Sequence, residues 1–311
     1  MIYTTLDGRC GNQLFVYAMT KEVQYCTNDN EITICDSIVI HMHEKDSSFV
    51  NELPNFNLSD YIISHEQGNQ VLLHGSVIQK AVYFLFKAHC RLPYQKRTKF
   101  YKRQERWQPI LNAVGIYEIS HGFSPIRISK TKNKFIYGYF EDKRWFSDVR
   151  DELLEEFKPK SINHSNDNFY NYICNTESVC VSIRRGDFLS EKFRDVRAIC
   201  DEKYFRKAIE IMKEKVPNAT FVFFSDEIDW VKENYNFGVR SLYETGKDGV
   251  AEKLRLMSSC KHFILSNSTF SWWAQYLSIN DKKVVISPDH WLNVPNYKHQ
   301  LIEDSWILIK C

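Results

Sequence analysis

The sequence predicts an α/β fold with two domains, and three observations lead to this class. The 311 residues are long for one hydrophobic core and comfortable for two. The chain opens with a short apolar run, a glycine-containing turn and an amphipathic pattern, in the order of a strand, a loop and a helix. In the second half of the chain, short apolar runs alternate regularly with helical patterns. This alternation is typical of a parallel sheet covered by helices.

The first predicted strand is residues 2–6, and residues 7–13 are predicted to form a turn. Phe15, Met19 and Val23 then recur every four residues, which favours an amphipathic helix. The turn lacks a Gly-x-Gly-x-x-Gly pattern and so does not predict a dinucleotide fingerprint. It is either a ligand-facing loop or an ordinary tight turn in which glycine supplies a positive φ.

Residues 80–106 form a basic, aromatic segment in a middle region whose pattern is otherwise hard to assign. The segment holds nine Lys or Arg and one acid, Glu105. Its interleaved aromatic residues are Tyr83, Phe84, Phe86, Tyr94, Phe100 and Tyr101. Three interpretations are open, in this order: a solvated helical face with its aromatic side chains in the core, a peripheral contact with an anionic membrane, and a nucleic-acid surface. We expect no nucleic-acid partner, because the basic excess is local and no nucleic-acid motif accompanies it.

A polar stretch without periodicity, residues 158–168, is the best candidate for a domain boundary. It follows a helical pattern at residues 148–157. We therefore predict an N-terminal domain at 1–158 and a C-terminal domain at 159–311, whose last residues are a candidate for packing back on the first domain. The later predicted strands are 178–183, 220–224, 262–265 and 283–286, and the predicted helices between them are 201–215, 250–260 and 269–277.

Composition and charge argue against several classes of protein. The net charge is +2, so no global field selects a partner. The cysteines number nine and include no Cys-x-x-Cys, which argues against a zinc site or a disulfide framework and for a reducing compartment. Neither a signal-peptide pattern nor a run of about 18 uncharged apolar residues occurs. We expect a cytoplasmic protein, with the inner membrane face as a candidate peripheral location.

Polar residues follow each of the four later predicted strands. They are Arg184, Arg185 and Asp187 after the first, Ser225 and Asp226 after the second, Ser266, Asn267, Ser268 and Thr269 after the third, and Ser287, Pro288, Asp289 and His290 after the fourth. Because the strands are predicted to be parallel, these residues should lie at one edge of the sheet, where ligands bind in such folds.

The two adjacent arginines suit a group with several anionic oxygens, because each guanidinium offers a planar fork of donors. Ser268 and Thr269 lead into a helix, whose first backbone N–H groups can cradle an anion. The alternatives are a surface ion pair between Arg185 and Asp187 and an ordinary Ser or Thr N-cap. Together the strand ends predict the diphosphate site of a nucleotide-activated substrate.

Asp226 is a candidate acceptor for hydrogen bonds from the ribose or the base. The chain contains neither a P-loop nor an Asp-x-Asp motif that would carry a divalent ion. We therefore expect neither a metal nor another cofactor, since two arginines can neutralise the diphosphate.

Four sequence blocks occur in an order that resembles a known family. They are Gly-Arg-Cys-Gly-Asn-Gln-Leu-Phe at 8–15, Ile-Arg-Arg-Gly-Asp-Phe at 183–188, Phe-Ser-Asp at 224–226 and Ser-Asn-Ser-Thr-Phe-Ser-Trp-Trp at 266–273. In these blocks the chain resembles the bacterial α-1,2-fucosyltransferases of glycosyltransferase family 11. The resemblance spans residues 2–292 and is weakest between 40 and 130.

The resemblance implies a GT-B-like fold, in which two Rossmann-like domains face a cleft, with the acceptor on the side of the first and the GDP-sugar in the second. It also implies inverting transfer of L-fucose from GDP-β-L-fucose to the 2-hydroxyl of a galactose, in an oligosaccharide or a lipid-linked precursor, without a metal. Two alternatives are open. One is the same fold with another GDP-deoxyhexose or acceptor hydroxyl; the other is a protein that binds a GDP-sugar or a glycan without turnover.

The resemblance also implies roles for single residues. Arg184 would stabilise the departing GDP, while Arg9 and Asn12 would act from the first domain on fucose and acceptor. The other donor-binding candidates are Arg185, Asp187, Ser225, Asp226, Asn267, Ser268, Thr269 and Phe270. The other acceptor-side candidates are Gly11, Gln13 and Glu141, and the candidates for a general base are Asp7 and Glu141. The chain departs from the family pattern at Ser182, where histidine is usual, and at Glu141, where glutamine is usual.

Overall fold

The computed structural model describes residues 1–29, 31–93, 96–294 and 300–311, so that Tyr94 of the basic segment lies outside it. The chain forms two compact units, Met1–Phe157 and Lys158–Cys311. The boundary predicted between residues 158 and 159 lies one residue from this division. Among the helices that the structure describes, none is both long and apolar enough to cross a membrane.

The first unit contains a five-stranded parallel sheet in the order β3-β2-β1-β5-β4. Its strands are β1 (Ile2–Thr5), β2 (Ile32–Cys35), β3 (Ile62–Ser64), β4 (Ile116–Ile119) and β5 (Lys134–Gly138). Its helices are α1 (Cys10–Thr27), α2 (Ser37–His43), α3 (Gln70–His74), α4 (Val77–Cys90), α5 (Arg97–Ala113) and α6 (Arg150–Glu156). The predicted opening strand and helix are both present, although α1 begins at Cys10, inside the predicted turn.

Two apolar layers form the core of the first unit. On α1, Leu14, Phe15 and Met19 are fully buried, as the four-residue spacing requires. A second cluster joins α4 and α5 to β4 and β5 through Phe86, Leu111 and other buried side chains. Residues 80–106 are therefore helical in α4 and in the first half of α5, with Tyr83 and Phe86 in the core as expected but with Phe84 exposed.

The second unit contains a six-stranded parallel sheet in the order β11-β10-β9-β6-β7-β8. Its strands are β6 (Ser178–Ile183), β7 (Thr220–Ser225), β8 (Ser241–Tyr243), β9 (His262–Ile264), β10 (Val285–Pro288) and β11 (Ile307–Ile309). Its helices are α7 (Asp167–Asn175), α8 (Arg194–Arg197), α9 (Glu202–Lys215), α10 (Ile228–Asn234), α11 (Val250–Ser258) and α12 (Thr269–Leu277).

The last strand, β11, is an edge strand of this second sheet. The end of the chain, which the sequence left as a candidate for packing on the first domain, therefore belongs to the second unit. Two parallel α/β units confirm the predicted fold class and its two Rossmann-like domains. The cleft between the domains stays a prediction.

The strand β6 occupies the centre of the second sheet, between β9 and β7, and all its residues are buried. Helix α9 covers the sheet with Phe205, Ala208, Ile209 and Met212, which are all buried, and Asp201 caps it by accepting a hydrogen bond from the Tyr204 N–H. Because the strands are parallel, the residues that follow β6, β7 and β9 meet at the same edge. This edge holds the candidate site.

Candidate active site

Arg184 follows β6 directly, and two carboxylates from different loops hold its guanidinium. Its Nη2 lies 2.6 Å from Asp187 Oδ1, and its Nη1 lies 3.1 Å from Asp226 Oδ2. Since Asp226 follows the neighbouring strand β7, this pair ties together the carboxyl ends of two adjacent strands. A quarter of the Arg184 side chain remains exposed. The charged group is thus oriented by the fold and still accessible to a ligand.

A second guanidinium, that of Arg197 at the end of α8, lies 3.3 Å from the other oxygen of Asp187. Arg184 and Arg197 also lie 5.5 and 5.6 Å from the centroid of the Phe188 ring. Asp187 thus bridges two arginines above one aromatic ring. The sequence did not single out Arg197, because the contact spans ten residues and has no characteristic spacing.

The Arg185 side chain is engaged elsewhere. Its Nε lies 2.8 Å from Glu227 Oε2, and its guanidinium stacks on the Trp230 ring of α10. The Arg185 backbone N–H donates to Asp226 Oδ1 at 3.0 Å. The second guanidinium at Asp187 therefore belongs to Arg197. The sequence, in which Arg184 and Arg185 are adjacent, had suggested Arg185 for this place.

Gly186 lies between Arg185 and Asp187, and its lack of a side chain has a local consequence. A Cβ added at this position would overlap Asp226 Oδ2. The missing side chain is what allows Asp226 to lie close enough to reach both the Arg184 guanidinium and the Arg185 backbone N–H.

Helix α12 begins at the same edge, after β9. Ser268 is its N-cap, but the Ser268 side chain makes no capping hydrogen bond. The first-turn N–H groups of an α-helix have no acceptor within the helix, and this end carries the positive pole of the helix dipole. Ser268, Thr269 and Phe270 are half-exposed. The predicted anion cradle therefore has the geometry it needs.

A chain of three buried hydroxyls connects β6 to α12. Ser182 Oγ lies 2.5 Å from Ser271 Oγ, which in turn lies 3.1 Å from Ser266 Oγ. Ser182 is the position where the family pattern has histidine. In this chain, the small hydroxyl is buried and ties the central strand to the start of the helix.

Asn267 fixes the backbone next to the candidate site through two hydrogen bonds. Its side-chain amide donates to the Arg197 and Trp291 carbonyls, both at 2.9 Å, and the residue is buried. Because both amide hydrogens are used, the side chain acts by fixing the loop that carries Arg197. The hydrogen bonds thus give this side chain a positioning role, and the direct donor contact that the sequence suggested stays a prediction.

A buried ion pair fixes the end of β7. Glu244 Oε1 accepts from the Ser225 N–H at 2.7 Å, while Lys253 Nζ lies 3.0 Å from Glu244 Oε2 and donates to the Ser225 carbonyl at 3.1 Å. Burial raises the pKa of Glu244, and Lys253 opposes this effect. The sequence did not single out either residue, because the pair forms only when β7, β8 and α11 come together.

In the first unit, Arg9 follows β1 and occupies the N-cap position of α1. Its Nη2 lies 3.1 Å from Asp46 Oδ2 and donates to Ser48 Oγ at 2.9 Å, while its guanidinium lies 4.5 Å from the centroid of the Phe49 ring. Hydrogen bonds from Ser48, together with Arg9, lower the pKa of Asp46. Residues 46–49, which the sequence pattern left unassigned, thus hold the side chain of Arg9, a predicted catalytic residue.

The other residues of the first sequence block, at 8–15, divide into those that shape the loop and one that is a candidate for contact with the acceptor. Gly8 has a φ of +74°, and a Cβ there would lie 2.6 Å from Asn12 Nδ2, so that the loop packs directly on the half-buried Asn12. Gly11 is buried in the first turn. Gln13 is also fully buried, and its amide donates to the Gly8 and Val50 carbonyls. Gln13 therefore shapes the loop from inside the unit, and Asn12 is the better candidate for contact with an acceptor.

The two candidate bases follow neighbouring strands. Asp7 comes after β1 and accepts a hydrogen bond of 3.1 Å from the Tyr139 hydroxyl, which comes after β5. Burial, with a further contribution from Asp7, raises the pKa of Tyr139, so this phenol stays protonated and keeps donating at neutral pH. Glu141, two residues further along, is half-buried.

Within the described ranges, one group of three side chains has the spacing of metal ligands: Glu22, Cys26 and Asp148. Glu22 lies about 20 Å along α1 from Arg9, given the rise of an α-helix. The group therefore lies far from the strand ends that carry the site residues of this unit.

The family model described as "Glycosyl transferase family 11" matches residues 116–310, which is more than half of the chain. The matched region includes Arg184, Asp187, Asp226 and the start of α12. An α/β protein of two parallel units with this match is a glycosyltransferase. The chain belongs to glycosyltransferase family 11.

Three relatives show how far the similarity extends. The O-antigen biosynthesis glycosyltransferase WbnK of Escherichia coli is 26% identical over 98% of this chain and 99% of its own length. An α-1,2-colitosyltransferase of the same species is 34% identical over 50% of this chain and 54% of its own. Human galactoside α-(1,2)-fucosyltransferase 1 is 29% identical over 33% of this chain and 29% of its own. The chain thus matches about half of the second relative and less than a third of the third.

Proposed function

We propose that this protein transfers L-fucose, or a closely related deoxyhexose, from a GDP-activated donor to the 2-hydroxyl of a galactose in an oligosaccharide or lipid-linked acceptor. The observation that carries the proposal is the Arg184 guanidinium, which Asp187 and Asp226 hold at the edge of the sheet where α12 also begins. Membership of family 11 and the α-1,2 transfer named for two relatives support the linkage.

The proposed reaction replaces one bond to the anomeric carbon by another. The bond from C1 of the sugar to the β-phosphate oxygen breaks, and its electron pair leaves with GDP. The acceptor O2 attacks C1 from the opposite face, so a β-linked donor gives an α-linked product. Arg184 and the N–H groups of α12 neutralise the charge that develops on the leaving diphosphate.

The proton of the acceptor hydroxyl passes to a carboxylate, for which Asp7 and Glu141 are our candidates. A transition state with oxocarbenium character depends more on stabilisation of the leaving group than on a strong base. The Tyr139 hydroxyl donates to Asp7 Oδ2 and so orients this carboxylate. Substituting Asp7 and Glu141 separately by Asn and Gln assigns the base.

The identity of the deoxyhexose is the open choice within this proposal. Discrimination between two sugars that differ by one hydroxyl depends on a few contacts in the pocket. The relative named as an α-1,2-colitosyltransferase makes GDP-colitose the main competitor of GDP-L-fucose. Phe270, half-exposed in the first turn of α12, is our candidate for contact with the guanosine.

A donor and acceptor screen tests the proposal. The purified chain is incubated with GDP-L-fucose, GDP-colitose or GDP-mannose and with lactose or another β-galactoside; GDP release is followed, and the linkage of the product is determined. We expect release of GDP that depends on the acceptor and an α-1,2-linked product. Tight GDP binding without turnover on any β-galactoside would favour a binding protein instead, and a different linkage would refute the acceptor assignment.

The same assay tests our proposal that no metal takes part. If arginine and helix N–H groups neutralise the diphosphate, EDTA should leave the rate unchanged, and added Mg²⁺ or Mn²⁺ should not raise it. A loss of activity in EDTA that Mn²⁺ restores would contradict this part of the proposal. In that case, Glu22→Gln would show whether the distant cluster on α1 is involved.

A further inference from the structure

Helix α4 exposes an apolar face where a surface helix ordinarily has polar side chains. Val77, Ile78, Phe84 and Leu85 are 84, 68, 70 and 57% exposed, and the alanines Ala81 and Ala88 lie exposed among them. At 100° per residue these six positions form one continuous stripe. The opposite side of the helix is packed in the core through Tyr83, Phe86 and Cys90.

The stripe continues onto the preceding helix. Leu72 and Leu73 of α3 are 50 and 39% exposed. We call these eight residues of α3 and α4 the apolar ridge. Contiguous exposed apolar surface of this kind is uncommon on a soluble monomer and marks a contact with another molecule or a membrane.

Helix α5 packs against α4 and exposes basic side chains of its own. The two helices are in direct contact, because Arg103 Nη1 donates to the His89 carbonyl and the Trp107 ring lies 6.0 Å from that of Phe86. Of the side chains that α5 exposes to solvent, Lys99, Lys102 and Arg106 are cationic and Glu105 is acidic.

On α4 itself, the charge of Lys87 is compensated by Glu118, 2.6 Å away, whereas Lys80, whose Nζ lies 3.5 Å from the Leu73 carbonyl, adds a positive charge to those of α5. Because the apolar ridge has this cationic flank, its charge complement is an acidic surface. A second copy of the same chain would instead bring two cationic flanks together.

From this combination we infer that the apolar ridge and the basic face of α5 form a docking surface for an anionic lipid bilayer. The apolar side chains enter the boundary between head groups and acyl chains, and the lysines and arginines contact acidic head groups. This sharpens the membrane interpretation of residues 80–106: the segment docks through α4, and its basic residues only flank the contact. The inference does not depend on the proposed reaction.

Vesicle co-sedimentation with the 311-residue protein tests the inference. We expect binding to vesicles that contain phosphatidylglycerol, little binding to pure phosphatidylcholine, and weaker binding at high salt. The double variant F84S/L85S should bind at least about tenfold more weakly, because it removes two of the four large apolar side chains that α4 exposes. The charge variant K99E/K102E should also weaken binding and should reduce the dependence on salt.

Ile279→Ser is the matched control, since Ile279 is 86% exposed in the second unit and lies outside the ridge. This variant should bind vesicles like the unaltered protein. Thermal unfolding of each variant checks that the fold is intact. Equal binding by F84S/L85S and the unaltered protein, or no preference for anionic vesicles, would overturn the inference. So would a dimer in solution that F84S/L85S converts to a monomer, because the ridge would then bind a second copy of the chain.

Discussion

At the scale of single residues, the candidate site depends on one arginine with two acidic partners. A guanidinium held by two carboxylates keeps its fork pointing in a fixed direction, which a lysine cannot do with a single rotatable ammonium group. Substitutions of Arg184 therefore separate its charge from its geometry.

We expect Arg184→Ala to lower kcat by about a thousandfold, because it removes the group that neutralises the leaving diphosphate. Arg184→Lys should recover only part of this loss, since it restores the charge without the fork. Steady-state kinetics with a β-galactoside acceptor measure both effects. Arg206→Ala is the control, because Arg206 forms an exposed ion pair with Glu202 on α9. If Arg184→Ala and Arg206→Ala have similar rates, Arg184 has no catalytic role.

Gly186→Ala tests the packing behind Arg184. The added methyl group displaces Asp226 Oδ2, and the contacts of Asp226 with Arg184 and with the Arg185 N–H are lost. The fold should survive, because the displaced atom ends a side chain. We expect GDP to bind about tenfold more weakly, as measured by calorimetry. Gly249→Ala is the control, since nothing lies within 4 Å of a Cβ added there. An unchanged affinity in Gly186→Ala would show that the position of Asp226 is unimportant.

At the scale of elements, β6 and α12 have the bounds that the sequence predicted, and the reason lies in their composition. Every residue of β6 is buried, and α12 is buried from Ser271 to Leu277. The apolar pattern of each element therefore predicts its bounds without information from the rest of the chain. The edge strands β3, β8 and β11 have three residues each and are only partly buried. Their pairing depends on neighbouring strands that are distant in sequence, which no local pattern records.

The residues of the candidate site were likewise only partly predictable from the sequence. Residues at strand ends were predictable, because a parallel sheet brings its carboxyl ends to one edge. Their partners Arg197, Asp46 and Glu244 were not, because each approaches from a different loop or strand. Arg185, Asn267 and Gln13 were assigned to ligands on their residue type, whereas their side chains contact other parts of the protein.

The connection between β7, β8 and α11 gives a prediction about stability. Lys253→Met leaves the buried Glu244 carboxylate without its cation, which should cost about 3 kcal/mol of unfolding free energy at neutral pH. Burial already raises the pKa of Glu244, so protonation of this carboxylate is more favourable in the folded than in the unfolded state. The stability that protonation supplies is lost as the pH rises above the ordinary value of a glutamate.

The destabilisation by Lys253→Met should therefore be large at about pH 8 and small at about pH 5, as measured by urea unfolding. The double variant E244Q/K253M carries no buried charge at this position and should recover much of the loss. A destabilisation that is equal at both pH values would contradict the assignment to the Glu244 carboxylate.

At the scale of the whole molecule, each unit has its own sheet and its own apolar core. The core around β6, β7 and α9 consists entirely of residues from the second unit. Phe157, the last residue of the first unit, packs on Tyr17 and Phe56 of that unit. The division after Phe157 thus cuts through neither of these two groups of packed side chains.

We therefore expect residues 158–311, expressed alone, to fold and to bind GDP but to transfer no sugar, since Asp7, Arg9 and Asn12 are absent. Cooperative thermal unfolding and calorimetry with GDP measure these properties. The same fragment with Arg184→Ala should fold equally well and bind GDP more weakly. A fragment that folds and shows no affinity for GDP would place the nucleotide elsewhere in the chain.

The arrangement of Arg184 and Arg197 with Asp187 and Asp226 has a consequence for turnover. Two guanidiniums and two carboxylates leave this cluster without net charge. A diphosphate can therefore enter by exchanging partners, as a phosphate oxygen takes the place of Asp187 Oδ1 on Arg184 while Asp226 keeps its contact. When the product departs, Asp187 recaptures the arginine. We expect an enzyme of this design to hold its nucleotide only briefly, with product dissociation eased by Asp187 and the arginine kept in position by Asp226.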